Sequence, residues 1–188
     1  VRPVGRMTLE RLHDTEYVST IREASASGSR KRVTPTTVVL PEVWDTARYS
    51  AGASIQAAVH AVDRGLNDVP YVLARPAGHH AQPTTADGYC FFNNEGLAAD
   101  HVIREGLAEK VAIIDWDIHP GNGTQECCYD RDDILTVSLH NDFGAWGGDY
   151  HPQTGRPDEH GTGEGEGYNV NIPLPPGTGD GGYAYAFE

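Results

Sequence analysis

Val111-Ala112-Ile113-Ile114 is an unbroken apolar run that ends in Asp115-Trp116-Asp117-Ile118-His119. A short run of this kind reads as a buried strand. On an extended chain, residues i, i+2 and i+4 share a face. Asp115, Asp117 and His119 are therefore expected to point together from the strand end, with Trp116 and Ile118 turned away. Pro120-Gly121-Asn122-Gly123 then turns the chain sharply, and upstream stands a tandem pair, His79-His80. Carboxylates and imidazoles gathered on one rigid edge suit metal-assisted hydrolysis.

The surrounding pattern supplies a frame. Helical spacing covers residues 9–23, 45–62 and 93–106, and Gly65-Leu66-Asn67-Asp68 breaks the second of these helices. Strand-like runs cover residues 71–74, 111–115, 134–139 and 168–174, and residues 25–32 read as a small, polar, basic linker. Alternation of helix and strand at this spacing predicts an α/β fold, a parallel sheet flanked by helices on both faces. The histidine pair, the Asp/His stretch and the long Gly-rich loop 141–167 each follow a strand, and in such folds ligands bind beyond the carboxyl ends of strands. The 188 residues suffice for a single domain spanning 1–188, read as a truncated piece of a longer protein because the last residues resemble the start of a helix.

A net charge of −13 argues against general nucleic-acid binding, which needs basic partners for phosphates. It suits solubility and attracts cations. The cysteines are Cys90, Cys127 and Cys128, an odd set with two adjacent, and no Cys-x-x-Cys pair occurs. That predicts free thiols and a cytoplasmic location. The apolar runs are too short to span a membrane.

Adjacent histidines on one loop have diverging side chains and make poor joint ligands for one ion. They suit acid/base work, each oriented by its own partner. Asp115 and Asn122 bracket the ligand candidates Asp117 and His119 and are candidates for that orienting task.

Five ordered motifs carry a family resemblance. They are Arg75-Pro76-Ala77-Gly78-His79-His80-Ala81, Gly88-Tyr89-Cys90-Phe91-Phe92-Asn93-Asn94 and Ile114-Asp115-Trp116-Asp117-Ile118-His119-Pro120-Gly121-Asn122-Gly123-Thr124, then Thr136-Val137-Ser138-Leu139-His140 and Gly167-Tyr168-Asn169-Val170-Asn171-Ile172-Pro173-Leu174-Pro175. The set resembles the zinc-dependent histone deacetylase family, closest to its class II and bacterial members, which include acetylpolyamine amidohydrolases. The resemblance implies the arginase/deacetylase fold. It implies Asp117 and His119 as Zn²⁺ ligands, His80 as general base and then general acid, and His79 as its protonated electrostatic partner. Asp115 would orient His79, and Asn122 would orient His80. Asn122 is neutral where class I members carry an aspartate, so His80 should be less basic than in that class. Gly88 and Tyr89 match a wall of the acyl-lysine tunnel, with Phe143, Trp146 or Tyr150 facing it. Asp115, Ser138 and the carbonyls of Asp117, His119 and Leu139 match a structural monovalent cation site for K⁺ or Na⁺.

The resemblance also implies a further aspartate ligand and a tyrosine that stabilises the oxyanion, both expected beyond residue 188, so that this piece alone should be inactive. The implied substrate is an acylated lysine, an acetylated polyamine or another small acylated amine. Glu164 and Glu166 would favour a cationic substrate if they lie at the mouth, whereas a solvated turn is the plainer reading. His140 reads as structural support near the rim. Two rivals remain. One is a catalytically inactive relative that binds acylated ligands or scaffolds a partner. The other is a binuclear manganese ureohydrolase, disfavoured because Gly121 stands where its second metal needs a carboxylate.

Overall fold

A computed structural model of the chain describes residues 1–65, 68–142 and 154–188. The expectations for Phe143, Trp146 and Tyr150 fall outside these residues. Three parallel strands, β3 (Val111–Asp115), β4 (Ile134–Asn141) and β5 (Asn169–Leu174), lie side by side in sequence order. Their register sets Asp115 beside Ser138 and Ser138 beside Asn171. The expected strands at 111–115 and 134–139 form as read from their apolar runs, the second extending to Asn141.

The helix expected over 9–23 forms as two pieces, α1 (Arg6–Leu9) and α2 (Thr15–Ala26), separated by a bend at His13. The basic linker contains a short antiparallel hairpin, β1 (Lys31–Arg32) with β2 (Val38–Val39). Next come α3 (Val43–Arg64) and α4 (Asn94–Arg104), where the Asn93 side chain caps α4 by accepting from the Gly96 N–H at 2.8 Å. Helix α5 (Asn122–Cys128) was not legible in sequence, because Asn-Gly-Thr is a poor helical start. Helix α6 (Asp180–Ala186) follows β5.

One expected strand is absent. Residues 71–74 run as irregular chain, with Tyr71 84% and Leu73 88% exposed. An apolar run becomes a strand only where a neighbour satisfies its backbone groups, and among the described residues no strand pairs with it.

The larger core lies among α2, α3 and α4, with Leu9, Val18, Ile21, Val39, Leu97 and Phe92 in it. Phe92 is ringed by His13, Tyr17 and Trp44 at centroid separations of 5.5–6.2 Å. A second cluster (Ala99, Cys127, Cys128 and Ile134, with Val111 and Ile113 against it) joins α4 and α5 to one face of the sheet. On the other face Ile114 stays 51% exposed, so helices among the described residues cover β3 on one side. All three cysteines are buried and free. No helix among the described residues is long and apolar enough to cross a membrane.

His13, at the bend between α1 and α2, is a buried core residue. Its Nδ1–H donates to the Gln82 carbonyl at 2.9 Å, and its Nε2 accepts from the Asn93 N–H at 2.9 Å. Both ring nitrogens are committed to the neutral form, and burial pulls the pKa down to about 4 from 6.5. A pKa lower in the folded state means that the unfolded chain takes up the proton first, so stability falls as pH drops from about 6.5 towards 4. The loss from this residue is about 2 kcal/mol by pH 5 and about 3 kcal/mol at the limit. Urea unfolding at pH 7 and pH 5 is expected to show that drop in the native sequence and a shallower one in His13→Gln. Equal drops would remove His13 as the cause.

Candidate functional site

The site is assembled around one buried amide. Asn93 Nδ2 lies 3.3 Å from the Gly78 carbonyl, 3.4 Å from the Ala81 carbonyl and 3.1 Å from Thr124 Oγ1. It thereby joins the start of α4 to the histidine loop and to α5. From the other side, the N–H groups of Gly123 and Thr124 donate to the His79 carbonyl at 2.8 and 3.1 Å. Gly123 packs so closely that a Cβ there would stand 2.4 Å from the Ala81 carbonyl oxygen, so the turn after Pro120 requires glycine at this point.

The two histidines stack with ring centroids 3.9 Å apart, and each has its own partner. His79 Nδ1 lies 2.8 Å from Asp115 Oδ2, and His80 Nδ1 lies 2.6 Å from Asn122 Oδ1. Burial pulls the His79 pKa down, but the hydrogen bond and charge of Asp115 outweigh it, and the net direction is up. Burial also lowers His80, to about 4, and the neighbouring His79 charge adds to the shift; the Asn122 hydrogen bond opposes it only in part. A neutral amide in place of a carboxylate counters the desolvation too weakly to reverse it. The pair is thus split electrostatically, His79 towards the cation and His80 towards the neutral base.

Asp117 and His119 reach the same place by a different route from the one expected. Strand β3 ends at Asp115, and both residues lie in the turn beyond it. Two side-chain-to-backbone hydrogen bonds shape that turn: Asp117 N–H to Asp115 Oδ1 at 2.9 Å, and His119 N–H to Asp117 Oδ1 at 2.8 Å. The carboxylates fold the chain back locally, as Asx turns do, and strand alternation plays no part past residue 115. His119 Nδ1 and Asp117 Oδ1 converge to 3.1 Å, and the His119 ring centroid lies 5.9 Å from that of His80. Trp116 does turn away, meeting Phe187 at 6.1 Å.

His79, His80, Asp117 and His119 line one open cavity of about 820 Å³ together with Gly88, Tyr89 and Cys90. Gly88 has φ +49°, and a Cβ on it would sit 2.1 Å from His80 Cδ2. Tyr89 is held at φ 64° and is 74% exposed, a strained backbone for an aromatic residue standing on the cavity wall. The hairpin residues Arg30 and Arg32 form part of the same lining, which sequence reasoning had left in a linker.

Other expectations resolve as follows. Asp115 and Ser138, partners in the β3–β4 register, share a narrow gap with Gly121 and Asn171. The Ser138 hydroxyl lies 2.8 Å from His140 Nδ1, and His140 Nε2–H donates to the Gly155 carbonyl at 2.9 Å, a buried supporting role. Leu139 is buried in β4. Glu164 and Glu166 are away from the cavity, in and beside a 3₁₀ turn packed on residues 129–131, and Glu166 pairs with His160 at 3.0 Å. The solvated-turn reading is the correct one. No group of three His, Cys, Asp or Glu side chains among the described residues is arranged to hold a metal ion. Asp117 and His119 supply two convergent donors of suitable type, and the described residues place no third beside them.

A family model described as "Histone deacetylase domain" matches residues 1–188. Histone deacetylase 8 of Arabidopsis thaliana is 48% identical over 149 residues, which is 79% of this chain and 39% of that protein. A histone deacetylase-like amidohydrolase of Pseudomonas aeruginosa is 41% identical over 142 residues, 74% of this chain and 36% of that protein. Among solved structures, the HDA15 HD domain superposes with a TM-score of 0.88 at 34% identity, covering 99% of this chain and 53% of that one. An acetylpolyamine aminohydrolase from Burkholderia pseudomallei gives a TM-score of 0.82 at 29% identity, covering 99% and 61%. The chain thus spans 39% and 36% of the two curated relatives. With the ordered motifs, the parallel sheet and the paired histidines all in agreement with that match, the chain belongs to the histone deacetylase family.

Proposed function

We propose that this chain carries the acid/base half of an amidohydrolase site that removes an acetyl or related acyl group from a lysine-like amine. The observation that carries this reading is the pair of differently partnered histidines, His79 with Asp115 and His80 with Asn122, set in one cavity with Asp117 and His119. With its Nδ1–H given to Asn122, His80 bears its lone pair on Nε2. That atom takes a proton from the attacking water and returns it to the departing amine, a role typically worth about 10²–10⁴-fold in rate. His79, kept cationic by Asp115, stabilises negative charge developing beside it. Tyr89 and Gly88 flank the acyl-bearing alkyl stem.

Asp117 and His119 are proposed to hold Zn²⁺, with the remaining ligand and an oxyanion donor coming from outside the described residues. The chemistry such an ion supplies is a lower pKa for water and polarisation of the amide carbonyl. Asp115 and Ser138, with the carbonyls of Asp117, His119 and Leu139, are proposed to hold a monovalent cation, K⁺ or Na⁺. The names of the relatives, histone deacetylases and an acetylpolyamine aminohydrolase, support an acylated amine as substrate. A cytoplasmic location is proposed from the free, buried thiols.

Acetate release by the full-length protein from an acetyl-lysine peptide and from acetylputrescine tests the reading. Hydrolysis of neither would sink it. His119→Ala is expected to reduce bound zinc, measured by elemental analysis, from stoichiometric to trace, because one of few ligands is lost. Unchanged zinc content would remove His119 from the metal site.

A further inference from the structure

The chain is acidic, with a net charge of −13, yet the edge of its largest described cavity is basic. Arg30 and Arg32 both line that cavity, together with Val38, Leu40 and the histidines. Their spacing explains the shared face, since alternate residues of an extended segment point the same way and Lys31 between them points to the other. Arg32 stands opposite Val38 in the hairpin, and both line the cavity.

The hairpin is fastened to the catalytic side of the cavity. Thr36 Oγ1 donates to Asp87 Oδ1 at 3.1 Å, and the same oxygen accepts from the Gly88 N–H at 2.8 Å. Gly88 in turn packs against the His80 ring. Arg32 is pre-aimed as well, because its Nη1 donates to the Pro35 carbonyl at 2.6 Å and thereby holds the guanidinium at the turn. Arg30 and Arg32 enter no ion pair among the described residues, whereas Arg11, Arg104 and Arg131 all meet Asp100. Among the described residues that line the cavity, Asp117 is the one carboxylate. Two guanidinium groups lining a binding cavity without a carboxylate partner among the described residues, one of them held at the turn, are a recognition element for an oxyanion.

We propose that Arg30 and Arg32 form a rim that selects acylated amines bearing a carboxylate near the scissile amide. The proposal rests on the amidohydrolase reading of the cavity and names its substrate class. The carboxylate comes either from an acidic residue flanking an acyl-lysine or from a dicarboxylic acyl group. Acetylated polyamines, whose remaining amines are cationic, are disfavoured by the same rim.

Three fluorescent probes separate the sources: an acetyl-lysine peptide with flanking glutamates, the same peptide with glutamines, and the glutamine peptide carrying succinyl-lysine. Their affinities for the full-length protein are read by anisotropy at low and high salt, beside hydrolysis of the glutamine peptide. A carboxylate-bearing probe is expected to bind about tenfold more tightly than the neutral one at low salt. That advantage should fall to about twofold or less in the double variant R30A/R32A and in high salt. A gain confined to the glutamate probe identifies the flanking residue as the source, and one confined to the succinyl probe identifies the acyl group. No gain from either carboxylate, or a gain that survives in R30A/R32A, overturns the rim. A protein that cleaves the neutral peptide without carboxylate preference refutes the rim alone. One that cleaves nothing but binds an acidic probe through the two arginines refutes the amidohydrolase reading and leaves the rim standing.

Discussion

His80→Ala in the full-length protein is expected to lower kcat for an acetyl-lysine peptide by about 10²–10⁴-fold while zinc content and thermal unfolding stay near their starting values. The expectation follows from the position of the ring. Its Nδ1 is tied to Asn122 at 2.6 Å, it shares a cavity with Asp117 and His119, and burial with the adjacent His79 charge lowers its pKa to about 4. A neutral imidazole accepts a proton at neutral pH, and no other histidine among the described residues has a comparable arrangement. His79 is coupled to Asp115 and held towards the cation, so it is a poor stand-in for the base. Near-normal turnover in His80→Ala would break the assignment. Loss of zinc together with activity would show that the residue acts through the metal site instead.

Asp100→Ala is expected to be the most destabilising single substitution among the ion-paired residues, by about 3–5 kcal/mol in urea unfolding. The Asp100 side chain is fully buried. One carboxylate oxygen accepts from Arg131 Nη1 at 2.8 Å, and Arg104 Nε reaches both oxygens at 3.0 and 2.9 Å. Arg11 stands 3.7 Å away, an ion pair beyond hydrogen-bond distance, and its Nη1 is buried with no hydrogen-bond partner of its own among the described residues. Removing the anion leaves this cationic group, with Arg104 and Arg131 beside it, without the carboxylate that all three share. Arg131 keeps its second partner, Asp133, at 2.8 Å, which places the effect towards the lower end of that range. Asp100→Asn keeps the shape and loses the charge, so it should fall between the two. A loss of under about 1 kcal/mol for Asp100→Ala would mean that the guanidinium groups reach water freely.

Neither residue was equally visible in sequence. His80 stood in a tandem pair inside an ordered motif, and its candidate partners were adjacent to the Asp/His stretch. Asp100 was one polar position of a helical pattern, indistinguishable from a solvated face. Its partner Arg131 is 31 residues away and Arg11 is far upstream. Periodicity records which face of an element is apolar but carries no information about which charge arrives opposite a polar position. The partners of His13 were hidden for the same reason, as they stand 69 and 80 residues away along the chain. The strand expected at 71–74 failed because pairing, unlike helix formation, is satisfied by another segment.

Taken by itself, the sequence determined the kind of fold, the strands at 111–115, 134–139 and 168–174, and the family. Those are properties of near neighbours and of ordered motifs, so they survive without coordinates. Only the tertiary structure decided that Asp117 and His119 converge through side-chain turns beyond the strand. It also decided that Glu164 and Glu166 lie away from the cavity while Arg30 and Arg32 border it. Distances between segments remote along the chain depend on packing around Phe92 and on the Asn93 amide that joins three elements, and no local pattern encodes them.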